Sequence, residues 1–150
     1  MIRRPALCLA LLAASACSDF PRDPEGTLKR VRAERSFRVG LVAPLEQGNL
    51  EPKADVMLQR VARASGAAPL IESGDAEPLL NRLEEGELDL VIGRFEKKSP
   101  WKGLVSFGPP LRIEMQGKTE FHLTAAARNG ENAWIALLEA EARNAGAEEQ

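Results

Sequence analysis

Two cysteines, one histidine and a basic, aromatic stretch between positions 94 and 102 are the side chains of this sequence with the most chemistry to offer. Cys17 directly follows the small residues Ala14, Ser15 and Ala16, while Cys8 lies inside an apolar run. Removal of that run would leave Cys17 alone, so no intramolecular disulfide could form and the fold must stand on its core. His122 has no second histidine or cysteine at metal-ligand spacing, so neither a catalytic nor a structural zinc site is expected. Placed in an alternating strand pattern, it reads as a structural or surface residue. Glu84, Glu85, Glu87 and Asp89 form an acidic cluster. An acid–base pair needs two carboxyls in contrasting environments, and a solvated helix end and turn does not supply them. No glycine-rich phosphate loop is present, since Gly93 followed by Arg94 carries no such signal. The reading is therefore of a non-enzyme without cofactor or metal. What remains is the cluster Arg94, Phe95, Lys97, Lys98, Trp101 and Lys102. It suits either an anionic group held by cations beside stacking rings, or an ordinary solvated loop, where lysines are common.

The first residues bear on compartment. Arg3 and Arg4 precede an apolar stretch over 6 to 14, and Ala14, Ser15 and Ala16 end it. Basic start, apolar segment and small-residue end make a secretory signal over 1–16, and nine apolar residues are too few to span a bilayer. Cys17 in that position resembles the lipobox cysteine of bacterial lipoproteins, which is diacylated. Ala14 stands where that family usually has leucine, and a general signal peptidase would cut the same bond. A lone cysteine at an exported N-terminus calls for a reason, so lipidation of Cys17, palmitate included, is the expectation. Ser18 after the cysteine, by resemblance to enterobacterial sorting, favours the outer over the inner membrane. Cleavage removes 16 of 150 residues and leaves 134, enough for one domain. It also removes two of the 20 basic residues and none of the 22 acidic ones, so the net charge falls to about −4. That balance argues against a nucleic-acid partner.

The elements that would position these residues follow from periodicity. Residues 18 to 27 read as a flexible tether and 28 to 36 as a lead-in helix with Leu28, Val31 and Arg32 on one side. Strands are expected at 37–42, 69–73 and 88–92, and helices from 50 to 65 and from 76 to the stop at Gly86. Pro52 fits a first helical turn, Asp75 an N-cap, and Gly66 a C-terminal stop. Further strands are expected over 104–107, 111–116 and 119–126, the last two turning at Gly117 and Lys118. A final helix from Asn129 or Gly130 turns Trp134, Leu137, Leu138 and Glu141 or Ala142 inward, ahead of a frayed tail from Ala145. This order predicts an α/β fold: a three-layer domain over 37–146, with a mostly parallel central sheet and helices on both faces, preceded by an anchor and lead-in segment over 17–36. Ligand-facing loops would lie at the carboxyl ends of the strands, over 43–49, 73–75 and 93–101.

The stretch from Pro78 to Gly93 resembles periplasmic solute-binding proteins of the polar amino-acid, ABC-transporter type (bacterial extracellular solute-binding protein family 3). There a leucine-ended helix, a charged turn and glycine lead into an Asp-containing strand. Phe37 to Gly40 resembles that family's opening strand, Val105 to Pro110 its strand before the first hinge crossing, and His122 to Trp134 its returning strand and closing helix. The resemblance implies a periplasmic-binding-protein-like lobe, a small-molecule solute and a membrane transporter component as partners, and a ligand face carrying Arg94, Phe95, Trp101 and Lys102. Two departures go with it. Only eleven residues separate Pro110 from His122, so the second lobe is absent, and with it the closing clamshell. Trp101 stands where amino-acid binders carry the arginine that grips the ligand carboxylate; it can stack on a flat ligand or cap the core. The expected function is a lipid-anchored envelope module binding or sensing a small solute. The alternative is an accessory or interaction protein that keeps the fold without the ligand.

Overall fold

A computed structural model describes residues 23 to 45 and 50 to 147. The elements run α1 (Thr27–Glu34), β1 (Ser36–Val42), α2 (Pro52–Ser65), β2 (Ala68–Gly74), α3 (Ala76–Glu84), β3 (Leu90–Glu96), a 3₁₀ turn (Pro100–Gly103), β4 (Val105–Phe107), β5 (Arg112–Gln116), β6 (Thr119–Arg128) and α4 (Asn132–Ala147). All six strands join one sheet in the order β2-β1-β3-β6-β4, with β5 beside β4 on the outer edge of β6. β1 is parallel to β2 and β3, and β6 is antiparallel to β3, β4 and β5. Five strands thus point one way and β6 alone returns.

Alternation along the strands sends side chains to two cores, one on each sheet face. Phe37, Val39, Leu41, Leu90 and Ile92 meet Met57 and Val61 of α2, Trp134 and Leu138 of α4, and Val31 of α1. On the other face Val42, Val91 and Ala126 meet Leu79, Leu80 and Leu83 of α3. The three-layer expectation holds. Each helix is amphipathic because it covers a sheet on one side only; Glu51 caps α2 through the amide of Lys53, and Pro52 opens it.

The start of the domain is clasped to its last helix by exchanged caps. Asp23 accepts from the amides of Ala133 (2.7 Å) and Trp134 (3.0 Å) at the start of α4, and from Leu28 of α1. Glu131, 1% exposed, accepts from the amides of Glu25 (2.8 Å) and Thr27 (2.9 Å) at the start of α1. Each carboxylate satisfies donors that a helix leaves unpaired in its first turn. The tether expected over 18 to 27 is therefore corrected for its final part: from Asp23 the chain is fixed to the domain, while residues 17 to 22 lie outside the described residues. The tail expected from Ala145 is also corrected, since α4 continues to Ala147 with Ala145 buried. Arg32, expected on one side of this helix with Leu28 and Val31, is exposed, whereas Val31 is buried.

The largest difference concerns β3, which runs on to Glu96 instead of ending at Gly93. Gly93, Arg94, Phe95 and Glu96 lie opposite Thr124, Leu123, His122 and Phe121 of β6. Antiparallel pairing with β6 satisfies backbone groups that a loop would have left to solvent.

Candidate functional site

Continuing β3 divides the basic, aromatic cluster between the two faces of the sheet. Arg94 lies on the face of α2 and α4, its guanidinium 3.8 Å above the Phe121 ring. Its Nε donates to Glu114 (2.8 Å) and its Nη2 to Gln116 (3.0 Å), both on β5. Arg112 ties the same Glu114 to Glu51 at the start of α2. Burial would raise the Glu114 carboxyl, yet bonds from Arg112 and Arg94 hold it below the ordinary carboxylate range. Arg94 is thus spent inside an ion-pair ladder.

Phe95 points the other way, 7% exposed, with its ring 5.0 Å from that of Phe107. Trp101 sits in the 3₁₀ turn, where its amide donates to Ser99 Oγ (3.3 Å), and packs half-buried against the α3-side core. Lys97 Nζ is 3.0 Å from Glu120, and Lys98 and Lys102 are exposed. Of the four predicted site residues the structure brings together two, Phe95 and Lys102.

Those two share an open cleft of about 250 Å³ with Phe107, Gly108, Pro110, His122 and Thr124, and with Glu96 and Lys97. Phe95, Phe107 and Pro110 supply apolar surface. Thr124 Oγ donates to the carbonyl of Gly108 (2.8 Å), and His122 Nε2 lies 2.7 Å from Glu120 Oε1. Hydrogen bonds from His122 and Lys97 hold the Glu120 carboxyl below its usual range, so an ionised acceptor fixes His122. The apolar floor beside exposed Lys102 fits a small solute with an apolar body and an anionic group, whereas Lys97 is already held by Glu120. His122 and Thr124 were not read as site residues. Their period-two spacing on one strand face was the available signal, but the pairing that sets them beside Phe95 is not written in either segment.

The expected loop sites at the other strand ends are less accommodating. A Cβ at Gly93 would lie 2.7 Å from Val42 and 2.9 Å from the Phe95 ring, so the protein's own side chains fill the space above it. Residues 46 to 49 of the first expected loop lie outside the described residues. Asp89, expected in a solvated acidic cluster, is instead 3% exposed. It accepts from the Arg38 amide (2.8 Å), Nε (3.1 Å) and Nη2 (2.7 Å), and pairs with Arg30. Its hydrogen bond raises the Arg38 pKa above the ordinary value, and its carbonyl accepts from Trp134 Nε1 at 2.7 Å. This network fastens α1 and α4 to the amino ends of β1 and β3. Among the described residues no group of His, Cys, Asp and Glu could hold a metal ion, and no helix is long and apolar enough to cross a membrane.

The sequence matches no protein-family model and no curated protein. The fold is similar to solved structures. Domain 1 of TmArgBP, from T. maritima, in its arginine-bound form superposes with a TM-score of 0.64 at 17% identity, over 77% of this chain and 97% of that one. An ancestral cationic amino acid solute-binding protein gives 0.64 at 10% identity, over 79% and 93%. A Salmonella typhimurium periplasmic binding protein of high arginine specificity gives 0.62 at 11% identity, over 77% and 95%. The chain carries the α/β fold of a solute-binding-protein lobe.

Proposed function

We propose that this chain is a binding module of the cell envelope, exported by residues 1–16, anchored through a lipid on Cys17, and holding a small solute on one open lobe. Supporting this reading is the likeness to domain 1 of TmArgBP, a single domain of this fold in its arginine-bound form. The contact surface is the cleft of Phe95, Phe107, His122, Thr124 and Lys102, and the solute class is an anion with an apolar body. Trp101 in place of the arginine that amino-acid binders carry and Lys102 at the cleft both point away from arginine as the ligand. With one wall only, little of a ligand is desolvated, so affinity is on the order of micromolar or weaker. Binding, not catalysis, is the role, and a membrane transporter component is the partner that fits it.

Calorimetric titration with amino acids, aromatic and aliphatic carboxylates and polyamines tests this. Heat from a carboxylate that Lys102→Ala abolishes supports it, and no heat from any compound at millimolar concentration refutes it. A second reading, an accessory protein that binds other proteins, is favoured by one observation: Arg94, the strongest anion-binding side chain of the cluster, is already engaged by Glu114 and Gln116. Capture of a membrane component by the chain without any solute would favour that reading.

A further inference from the structure

Strand β5 offers an edge whose chemistry is self-complementary. Among the described residues it pairs with β6 on one side only, and its outward residues on the α3 side, Ile113 and Met115, are 56% and 64% exposed. An open strand edge flanked by exposed apolar side chains is a template for another strand. Arg112, Glu114 and Gln116 occupy the opposite face, where Arg112 and Glu114 pair with each other and with Glu51 and Arg94 within the chain. Two copies of β5 running antiparallel about a two-fold axis place each residue against a fixed partner, and the charges choose the register. Centred on Glu114, the pairing sets two carboxylates against each other. Centred on Met115, it sets Arg112 against Lys118. Centred on Ile113, it sets Arg112 of each copy against Glu114 of the other and Ile113 against Ile113.

We propose that a second copy of this chain docks edge to edge on β5 in the register centred on Ile113, joining two six-stranded sheets into one. Alternation keeps Ile113 of both copies on the same face as His122, its cross-strand neighbour, so the two solute clefts open on one side of the joined sheet. The contact is small, so the association is weak, on the order of 10 µM. It neither requires nor excludes solute binding, and its test uses no solute.

Sedimentation equilibrium of the full chain, across a hundredfold concentration range in one buffer and detergent, reads the association. Wild type forms dimers. Arg112→Glu alone sets Glu against Glu twice, and Glu114→Arg alone sets Arg against Arg, so each variant by itself is monomeric. An equimolar mixture of the two forms heterodimers, because every cross-strand pair is again opposite in charge. Ile113→Lys, at an exposed position that does not threaten the fold, also gives a monomer, with an unchanged circular-dichroism spectrum. Monomeric wild type at 100 µM, ten times that estimated constant, overturns the proposal, as does dimerisation of either single charge variant. Failure of the mixture to associate overturns the register and with it the proposal.

Discussion

Single side chains here are decided by which carboxylates are fixed and by what. Burial alone would raise the Glu131 carboxyl, but the amides of Glu25 and Thr27 outweigh it and hold the group below the ordinary 4.5. A carboxyl with a depressed folded-state value adds stability that is fully present above the unfolded value. That stability is lost as pH falls through the folded-state value. Glu131→Gln should therefore cost about 1–3 kcal/mol at neutral pH, as loss of charge-assisted bonds to buried donors does. Melting temperatures at pH 7 and pH 3 check this: the gap between wild type and variant should close in acid. Trp101 belongs at this scale too. It packs against the α3-side core and does not line the cleft, so Trp101→Ala should lower stability by about 1–3 kcal/mol, a part of a full aromatic deletion. Its ligand titration should stay unchanged; a variant that melts normally and binds less would make Trp101 a ligand platform.

The helices and strands were legible where one segment carries its own signal. Leu79, Leu80 and Leu83 repeat at helical spacing after Asp75, and α3 forms there; Leu90 and Ile92 read as core and are fully buried. Leu83→Ala should cost about 2–5 kcal/mol by chemical denaturation, and a cost below roughly 0.5 kcal/mol would detach α3 from the sheet. The hairpin at Gly117 and Lys118 was equally plain. What the sequence hid depended on a partner strand. Gly93 looks like a strand end, yet β6 extends β3 by three residues past it. That extension turned a presumed ligand loop into alternating positions and parted Arg94 from Phe95. Gly93 is required for close packing instead: a Cβ would meet Val42 and Phe95 inside 3 Å. Gly93→Ala should destabilise by about 1–3 kcal/mol through overpacking, measured by thermal melting, and a neutral result would mean that β1 and β3 separate easily. Asp89 was misread for the same reason, because Arg30 and Arg38 reach it from α1 and β1.

For the whole molecule the two ends of the sheet take different tasks. Asp23, Asp89 and the starts of α1 and α4 lie at the amino end of β1 and β3, whereas the cleft and the β5–β6 hairpin lie at the other. On the proposed anchor at Cys17, residues 17 to 22 would reach about 20 Å at most, which would turn the amino end toward the membrane and the cleft away from it. Cys17→Ser should then release the protein into the soluble periplasm, and mass spectrometry of the native N-terminus should find an acylated cysteine; a free thiol there contradicts the anchor. The central claim is that a single lobe holds a solute on the α3 side of the β3–β6 pair, and amide chemical-shift mapping tests it most directly. Titration of the ¹⁵N-labelled chain with small carboxylates should move the resonances of Phe95, Lys102, Phe107, His122 and Thr124, saturating at micromolar to millimolar concentration. Resonances that stay still throughout the panel, or that move only around Arg30, Arg38 and Asp89, would contradict it.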